Sequence, residues 1–151
     1  MKLEQVIKTE RFEDARHKAT INLLYTAYWY KTHISAELKK HNLTAEQYNV
    51  LRILKGKHPE QMCVKDIAGR MIEKNSNVPR IIDRLLEKQL VERNISSADR
   101  RETLIALTTK GATSLATASA ALKKMTEDIV ELSEEDAASF NDMLEKFRKI
   151  D

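Results

Sequence analysis

The stretch from Val64 to Gly111 decides the fold of this chain. It reads VKDIAGRM (64–71), IEKN (72–75), SNVPRIIDRLLEKQL (76–90), VERNI (91–95), SSADRRE (96–102), TLIAL (103–107) and TTKG (108–111). Apolar residues recur at helical spacing in the first and third pieces, whereas VERNI and TLIAL are short runs typical of strands. The stretch therefore predicts a short helix, a tight turn, a second helix, and two strands joined by a charged loop.

The second helix of this stretch has two chemically different faces. The apolar face carries Val78, Ile81, Ile82 and Leu85, and the other face carries Asn77, Arg80, Asp83, Arg84 and Lys88. A helix with a cationic outer face, followed by a hairpin tipped with arginines, fits the grooves of a duplex better than it fits a small molecule. These features predict a winged helix-turn-helix that binds DNA.

The N-terminal end of the second helix is expected to face base edges in the major groove. Arg80 is the first choice for a base contact, because arginine can donate two hydrogen bonds to guanine. Asn77 is a second candidate, because asparagine can pair in a similar way with adenine. Arg84 and Lys65 are expected to contact phosphates. The alternative is a solvated helix face, but Arg80 and Arg84 repel each other at this spacing. The residues predicted to contact DNA in this region are Lys65, Ser76, Asn77, Pro79, Arg80 and Arg84.

The charged loop between the two strands is the second predicted contact with DNA. An arginine at a hairpin tip can enter a minor groove and respond to its width and potential. Of Arg100 and Arg101, one can enter the groove while the other stabilises the loop. Asp99 is placed to stabilise the turn. Any surface turn could carry these three residues, so their significance comes from their position after a helix-turn-helix.

A long helix is predicted on each side of this unit. The first runs from about Glu10 to His41, with an apolar stripe that Leu24, Tyr25, Tyr28 and Trp29 widen to more than one face. Such a helix needs two neighbours, of which one belongs to its own domain and the other is expected to be a partner subunit. The last helix also has an apolar stripe, which is formed by Phe140, Met143, Leu144, Phe147 and Ile150.

The helix boundaries follow from capping signals. Thr44, with Gln47 three residues later, is expected to start a helix that ends at Gly56, and Met62–Cys63 is a candidate extended piece. Asn75 or Ser76 is expected to cap the second helix of the DNA-binding stretch, which has Pro79 in its first turn. Thr108 and Ser133 are expected to cap the last two helices.

The composition fits one globular domain of 151 residues that is mainly α-helical. The formal net charge is +3, but residues 111–151 have five Lys and Arg against nine Asp and Glu, so this acidic part is poorly suited to face phosphates. A single cysteine, Cys63, excludes an internal disulfide. No apolar run approaches the length of about 20 residues that spans a bilayer, and the first 18 residues lack a signal-peptide core. A cytoplasmic location is therefore expected.

Together, NVPRIIDRLLEKQLVER (77–93), the DRR of residues 99–101, and LTTKG (107–111) resemble the MarR family, the multiple antibiotic resistance regulators. The resemblance extends over nearly the whole chain, including the Leu43–Thr44 helix start and both flanking helices. It implies a homodimer with six helices and a wing in each subunit, in which the helix matching residues 76–88 reads the major groove and Arg101 reaches the minor groove. It also implies that residues 1–151 form one domain. Residues 44–110 would be its DNA-binding part, and residues 10–41 and 109–151 would be its dimerisation helices.

The resemblance further implies a repressor that is released by a phenolic or other small anionic effector. Its effector pocket would lie between the first helices and the DNA-binding part, with Tyr25, Trp29, Tyr48 and Arg52 as candidate residues. Core packing explains these aromatic residues equally well. Two departures from the family pattern stand out: Gln89 replaces the usual glycine at the helix end, and Pro79 replaces a common threonine or serine.

Other functions have less support in the sequence. Redox-sensing members of the family place their cysteine in the first helix, so Cys63 is interpreted as a small core residue. The four histidines have no metal-ligand spacing, no cofactor is expected, and the motifs of common enzyme classes are absent. The main alternative is a winged-helix module whose wing arginines bind an acidic protein instead of DNA.

Overall fold

The computed structural model of the chain describes residues 2–9, 11–96 and 102–148. These residues form seven helices and three strands, so the fold is mainly α-helical with one small sheet, as predicted. In chain order the elements are α1 (Leu3–Ile7), α2 (Ala15–Lys40), α3 (Ala45–Lys55), β1 (Met62–Cys63), α4 (Val64–Arg70), α5 (Val78–Glu87), β2 (Val91–Ile95), β3 (Thr103–Leu107), α6 (Thr109–Ile129) and α7 (Glu134–Phe147).

The sheet is antiparallel and has the strand order β1–β3–β2. Val91 pairs with Leu107 and Ile95 with Thr103, so the predicted hairpin is confirmed. The candidate extended piece Met62–Cys63 is the third strand, since Met62 pairs with Ile105 on the free side of β3. A strand of two residues is too short to show an alternating pattern, and its pairing depends on a segment some 40 residues away in the chain.

The core lies where α3, α4 and α5 pack on one another and on the sheet, whose central strand is β3. Leu51, Ile67, Ile82 and Ile105 each come from a different one of these elements and are completely buried. Burying one such side chain contributes about 1.5–3 kcal/mol to folding. The core therefore fixes α5 by its inner face and leaves the opposite face to solvent.

Local capping contacts begin three of the helices as predicted. Thr44 and Gln47 form a reciprocal capping box at the start of α3, in which the Gln47 N–H donates to the Thr44 hydroxyl over 3.2 Å. The hydroxyls of Thr108 and Ser133 accept from backbone N–H groups in the first turns of α6 and α7. These contacts satisfy donors that have no partner inside their helix.

The first long helix starts later than predicted, at Ala15 instead of Glu10. Asp14 caps its N-terminus by accepting the His17 N–H over 2.7 Å, and the preceding chain forms the separate short helix α1. The leucine at position 38 is the only fully buried residue of α2, and α7 has none. Large apolar side chains on these two helices are exposed in the single chain, namely Leu24, Tyr28, Phe140, Met143 and Phe147.

Candidate nucleic-acid interface

Helix α5 presents its polar face outward because its apolar face is anchored in the core. Val78, Ile82 and Leu85 are buried, while Arg80 and Arg84 are exposed. Pro79 is also exposed and occupies the first turn of the helix, where its missing N–H leaves no hydrogen bond unmade. The two faces inferred from the sequence are thus present, and α5 forms a ridge that is rigidly backed by the core.

The start of α5 differs from the prediction, which placed the cap at Asn75 or Ser76. The capping residue is Asn77, whose Oδ1 accepts the Arg80 N–H over 3.2 Å. Pairing with adenine uses both the oxygen and the amino group of an asparagine. Because the cap already occupies Oδ1, the amino group is the part of Asn77 best placed to donate outward.

Ser76 does not present its hydroxyl to the outside. Its Oγ is buried and has no hydrogen-bond partner in the part of the chain that the structure describes. The residue lines a polar recess between the start of α3 and the start of α5, instead of standing on the outer ridge with Arg80. Its expected role at base edges therefore does not fit this conformation.

The two arginines of α5 have different surroundings. Arg84 Nη1 lies 2.9 Å from Glu87 Oε2, and this carboxylate raises the pKa of the guanidinium. Arg93 on β2 similarly pairs with Asp83 over 2.8 Å. Among the described residues, no carboxylate forms an ion pair with Arg80. Arg80 can therefore engage a base or a phosphate without first breaking an ion pair.

The lysines expected near DNA also differ from each other. Lys65 is exposed in the first turn of α4 and forms no ion pair within the described residues, as suits a phosphate contact. Lys88, which the sequence placed on the cationic face, points elsewhere: its Nζ donates to the Asn42 carbonyl over 2.6 Å and to Gln47 Oε1 over 2.8 Å. Burial lowers the pKa of Lys88. The cationic face is therefore smaller than predicted.

The junction between α5 and the wing makes its turn without glycine. Gln89 has a φ of 61°, in the left-handed region. The Leu90 N–H donates to the Leu85 carbonyl over 3.0 Å, and the Gln89 N–H donates to the Leu86 carbonyl over 2.8 Å. These bonds form a Schellman motif, which usually has glycine at the position of Gln89.

The base of the wing is fastened to this junction. The Thr108 hydroxyl donates to the Gln89 carbonyl over 2.9 Å, and the Thr108 N–H donates to the Leu90 carbonyl over 3.2 Å. Both strands of the wing therefore leave the protein from a fixed point beside α5. The predicted tip residues Asp99, Arg100 and Arg101 lie outside the described residues, so their contacts with DNA stay predictions.

A cleft of about 440 Å³ separates α2, α3 and α6. Of the four candidate pocket residues, Tyr48 and Arg52 line it, whereas Tyr25 and Trp29 do not. Trp29 instead packs on His33, with ring centroids 4.5 Å apart. The tyrosine that does line the cleft is Tyr30, one residue further along the helix and so turned by about 100°.

Two tyrosine hydroxyls tie the wall of this cleft together. Tyr30 and Tyr48 make hydrogen bonds of 2.8 and 3.0 Å to the hydroxyls of Thr126 and Ser119 on α6. The lining also includes the cations Arg52 and Lys123 and has no carboxylate from the described residues. These features suit a small ligand that has an apolar ring and a negative charge.

Other chemistry has little support in the structure. Within residues 2–9, 11–96 and 102–148, no group of three or more His, Cys, Asp and Glu side chains could hold a metal ion. Cys63 is half-buried, immediately before α4, and forms no disulfide. None of the described helices is both long and apolar enough to cross a membrane.

Comparison with known proteins gives a consistent result. The sequence model of the MarR family matches residues 43–103, which include α3, α4, α5 and the wing. Over 81 residues the chain is 31% identical to the HTH-type transcriptional regulator MhqR of Bacillus subtilis (strain 168), a match that covers 52% of this chain and 53% of MhqR. The aligned segment thus spans about half the length of that curated relative.

Solved structures show similarity over more of the chain. A crystal structure of an S. aureus MepR–DNA complex has a TM-score of 0.74 and 23% identity, with 85% of this chain and 94% of MepR covered. Bordetella bronchiseptica BpsR, from a study of how 6-hydroxynicotinic acid regulates its DNA binding, has a TM-score of 0.75 and 23% identity, with coverages of 94% and 99%. At this identity, both comparisons support the fold alone.

Proposed function

We propose that the chain is a transcription regulator of the MarR family that binds duplex DNA as a homodimer. The observation that carries this proposal is the outer face of α5, where Arg80 has no ion pair among the described residues and the inner face of the helix is held by the core. A rigid helix of this kind can enter a major groove and donate to base edges. The similarity in fold to MepR, which was crystallised with DNA, supports the same use of α5.

The second copy is proposed because α2 and α7 expose apolar side chains. Leu24 and Tyr28 on α2 are 67% and 72% exposed, and Met143 on α7 is 58% exposed. An extended apolar surface of this kind is stable in water when another protein covers it. A closed dimer has two-fold symmetry, so its operator is an inverted repeat with half-sites about one helical turn apart.

The cleft between α2, α3 and α6 is proposed as an effector site. Arg52 and Lys123 supply positive charge, while Tyr30 and Tyr48 supply hydroxyls and aromatic surface. A small aromatic anion would compete with Thr126 and Ser119 for the two tyrosine hydroxyls. Binding of such an effector then loosens α6 from α2 and α3, which is how a repressor of this type would be released from its operator. Related chemistry is known for BpsR, whose regulation involves 6-hydroxynicotinic acid.

The proposed function is tested by selecting bound duplexes from a random pool. We expect an inverted repeat to emerge, and the affinity to fall steeply with salt because bound lysines and arginines displace counterions. A chain that ignores every duplex at low salt would contradict DNA binding and favour a winged-helix module that binds an acidic protein. Sedimentation of the free protein measures whether it is a dimer.

A further inference from the structure

The link between α4 and α5 is attached to the long helix α2. Lys31 Nζ on α2 lies 2.5 Å from Glu73 Oε1 in this link, and Glu73 is the main reason that the pKa of Lys31 is raised. The neighbouring Ile72 N–H donates to Asn49 Oδ1 on α3 over 3.0 Å. The chain that enters α5 is therefore held from outside the α4–α5 pair.

The other end of α5 is attached to the turn that follows α2. Lys88 follows the last residue of α5, and its Nζ donates to the carbonyl of Asn42, two residues beyond the end of α2. Gln47 Oε1 accepts from both Lys88 and the Thr44 N–H, which joins this contact to the start of α3. Contacts with residues 31–42 thus hold the link that precedes α5 and the residue that follows it.

We propose that Lys31, Glu73 and Lys88 are positioning residues that set the place of α5 relative to the partner subunit. The proposal rests on the proposed function, because α2 also carries the exposed Leu24 and Tyr28 that we assign to subunit pairing. The distance between the two α5 helices of a dimer then depends on how each α5 is held on its own α2. DNA with two half-sites demands one distance, whereas DNA of random sequence does not.

Substitution of Glu73 distinguishes a positioning role from a simple effect of charge on DNA binding. It is an anion close to the start of α5, and its side chain is 47% exposed. Removing its negative charge makes the DNA-binding part more positive, so electrostatics alone predicts tighter binding to every duplex. A positioning role predicts the opposite for a duplex with two half-sites, because the link to Lys31 is lost.

The test compares Glu73→Gln with Glu92→Gln in the whole chain. Glu92 is an exposed carboxylate on β2 that has no ion pair among the described residues, so its variant removes the same charge without touching α2. The probes are a duplex selected by the wild-type protein from a random pool and a scrambled duplex of equal length. We expect Glu73→Gln to lose affinity for the selected duplex by about fivefold, since an exposed ion pair is modest but two subunits contribute it.

The expected controls are equally specific. Glu73→Gln should bind the scrambled duplex at least as tightly as the wild type, Glu92→Gln should not lose affinity for either probe, and thermal unfolding of both variants should stay close to wild type. The exchange Lys31→Glu with Glu73→Lys should restore most of the affinity for the selected duplex, because it rebuilds the ion pair in the reverse sense.

Three outcomes overturn the proposal, and they lead to two different conclusions. If the wild type binds the selected duplex and Glu73→Gln behaves like Glu92→Gln, the positioning role is wrong while DNA binding stands. Failure of the exchanged pair to restore affinity leads to the same conclusion. If the wild type shows no salt-sensitive binding to any duplex, the proposed function is wrong and the positioning role falls with it.

Discussion

The carbonyl oxygen of Leu90 lies 1.9 Å from the point that a Cβ atom on Gly111 would occupy. This close approach lets the first turn of α6 cross the junction between α5 and the wing. A Leu107 methyl carbon also lies 2.9 Å from the same point. Residue 111 is therefore glycine for lack of space, and the angle between α6 and the wing depends on it.

Gly111→Ala is expected to destabilise the protein by about 3 kcal/mol, at the upper end of the range for overpacked sites. The opposing atom belongs to the backbone and cannot rotate away. Urea unfolding followed by circular dichroism measures the change. A loss smaller than about 1 kcal/mol would contradict the close approach.

Gly69→Ala is the matched control for this substitution. Gly69 lies inside α4, and a Cβ atom added there would meet no atom within 4 Å outside its own helical turn. Alanine is favoured over glycine in a helix by about 0.5–1 kcal/mol, so this variant should be as stable as the wild type or more stable. If Gly111→Ala lowers the free energy of unfolding and Gly69→Ala does not, the space around the glycine, and not the loss of a glycine as such, determines the change in stability.

Gln89→Gly is expected to stabilise the protein by about 0.5–1 kcal/mol, because a residue with a side chain is strained in the left-handed region. Such a gain raises the melting temperature by about 2 °C in a chain of this size. Asn42 provides the comparison, since it has a φ of 56° in an equivalent motif at the end of α2. Asparagine tolerates this conformation, so Asn42→Gly should change stability little. Equal gains at both positions would contradict the explanation.

Arg80→Ala and Arg101→Ala are both expected to weaken binding to a selected duplex. Loss of a bidentate contact to guanine costs about 1–3 kcal/mol of discrimination, so Arg80→Ala should also relax the sequence preference. Anisotropy titration on selected and scrambled duplexes measures both effects. Lys124→Ala removes a cation from α6 and serves as the control. Dimerisation should be unchanged in all three variants. If both arginine variants bind the selected duplex as tightly as the wild type, the assigned interface is wrong.

Glu37→Gln is expected to reduce stability at neutral pH and to reduce it less in acid. Lys40 and then His41 lower the pKa of Glu37 below its usual value of 4.5. A carboxyl whose pKa is lower in the folded state contributes stability above pH 4.5 and loses it as the pH falls through the folded-state value. Urea unfolding at several pH values between about 7 and 3 should show the difference from wild type shrinking as the pH falls. The matched control is Glu145→Gln, since Glu145 forms no ion pair among the described residues.

Features that depend on neighbouring residues were predictable from the sequence. The Thr44–Gln47 capping box, the Thr108 and Ser133 caps, and the inner face of α5 follow from short-range patterns, and the structure confirms them. The strands of the wing were also predicted with the correct bounds. In each case the deciding interaction spans only a few residues or repeats with a regular period.

Features that depend on distant contacts were not predictable in the same way. The direction of Lys88 is set by Asn42 and Gln47, which are 46 and 41 residues away. The choice of Tyr30 over Trp29 for the cleft depends on the rotation of α2 against α6, which a wide apolar face does not specify.

One local feature was also missed. The cap at Asn77 was not predicted because Asn75, Ser76 and Asn77 are three good capping residues in succession.

The absence of any buried residue in α7 has a consequence for how the protein responds to its own amount. If the apolar stripe of α7 is covered only by a second chain, ordering of the two α7 helices and association of the subunits are a single bimolecular event. Dilution would then unfold α7 and dissociate the two subunits in the same step. At low concentration, occupancy of an operator would rise with the square of the total protein, so the level of expression itself becomes a regulatory signal.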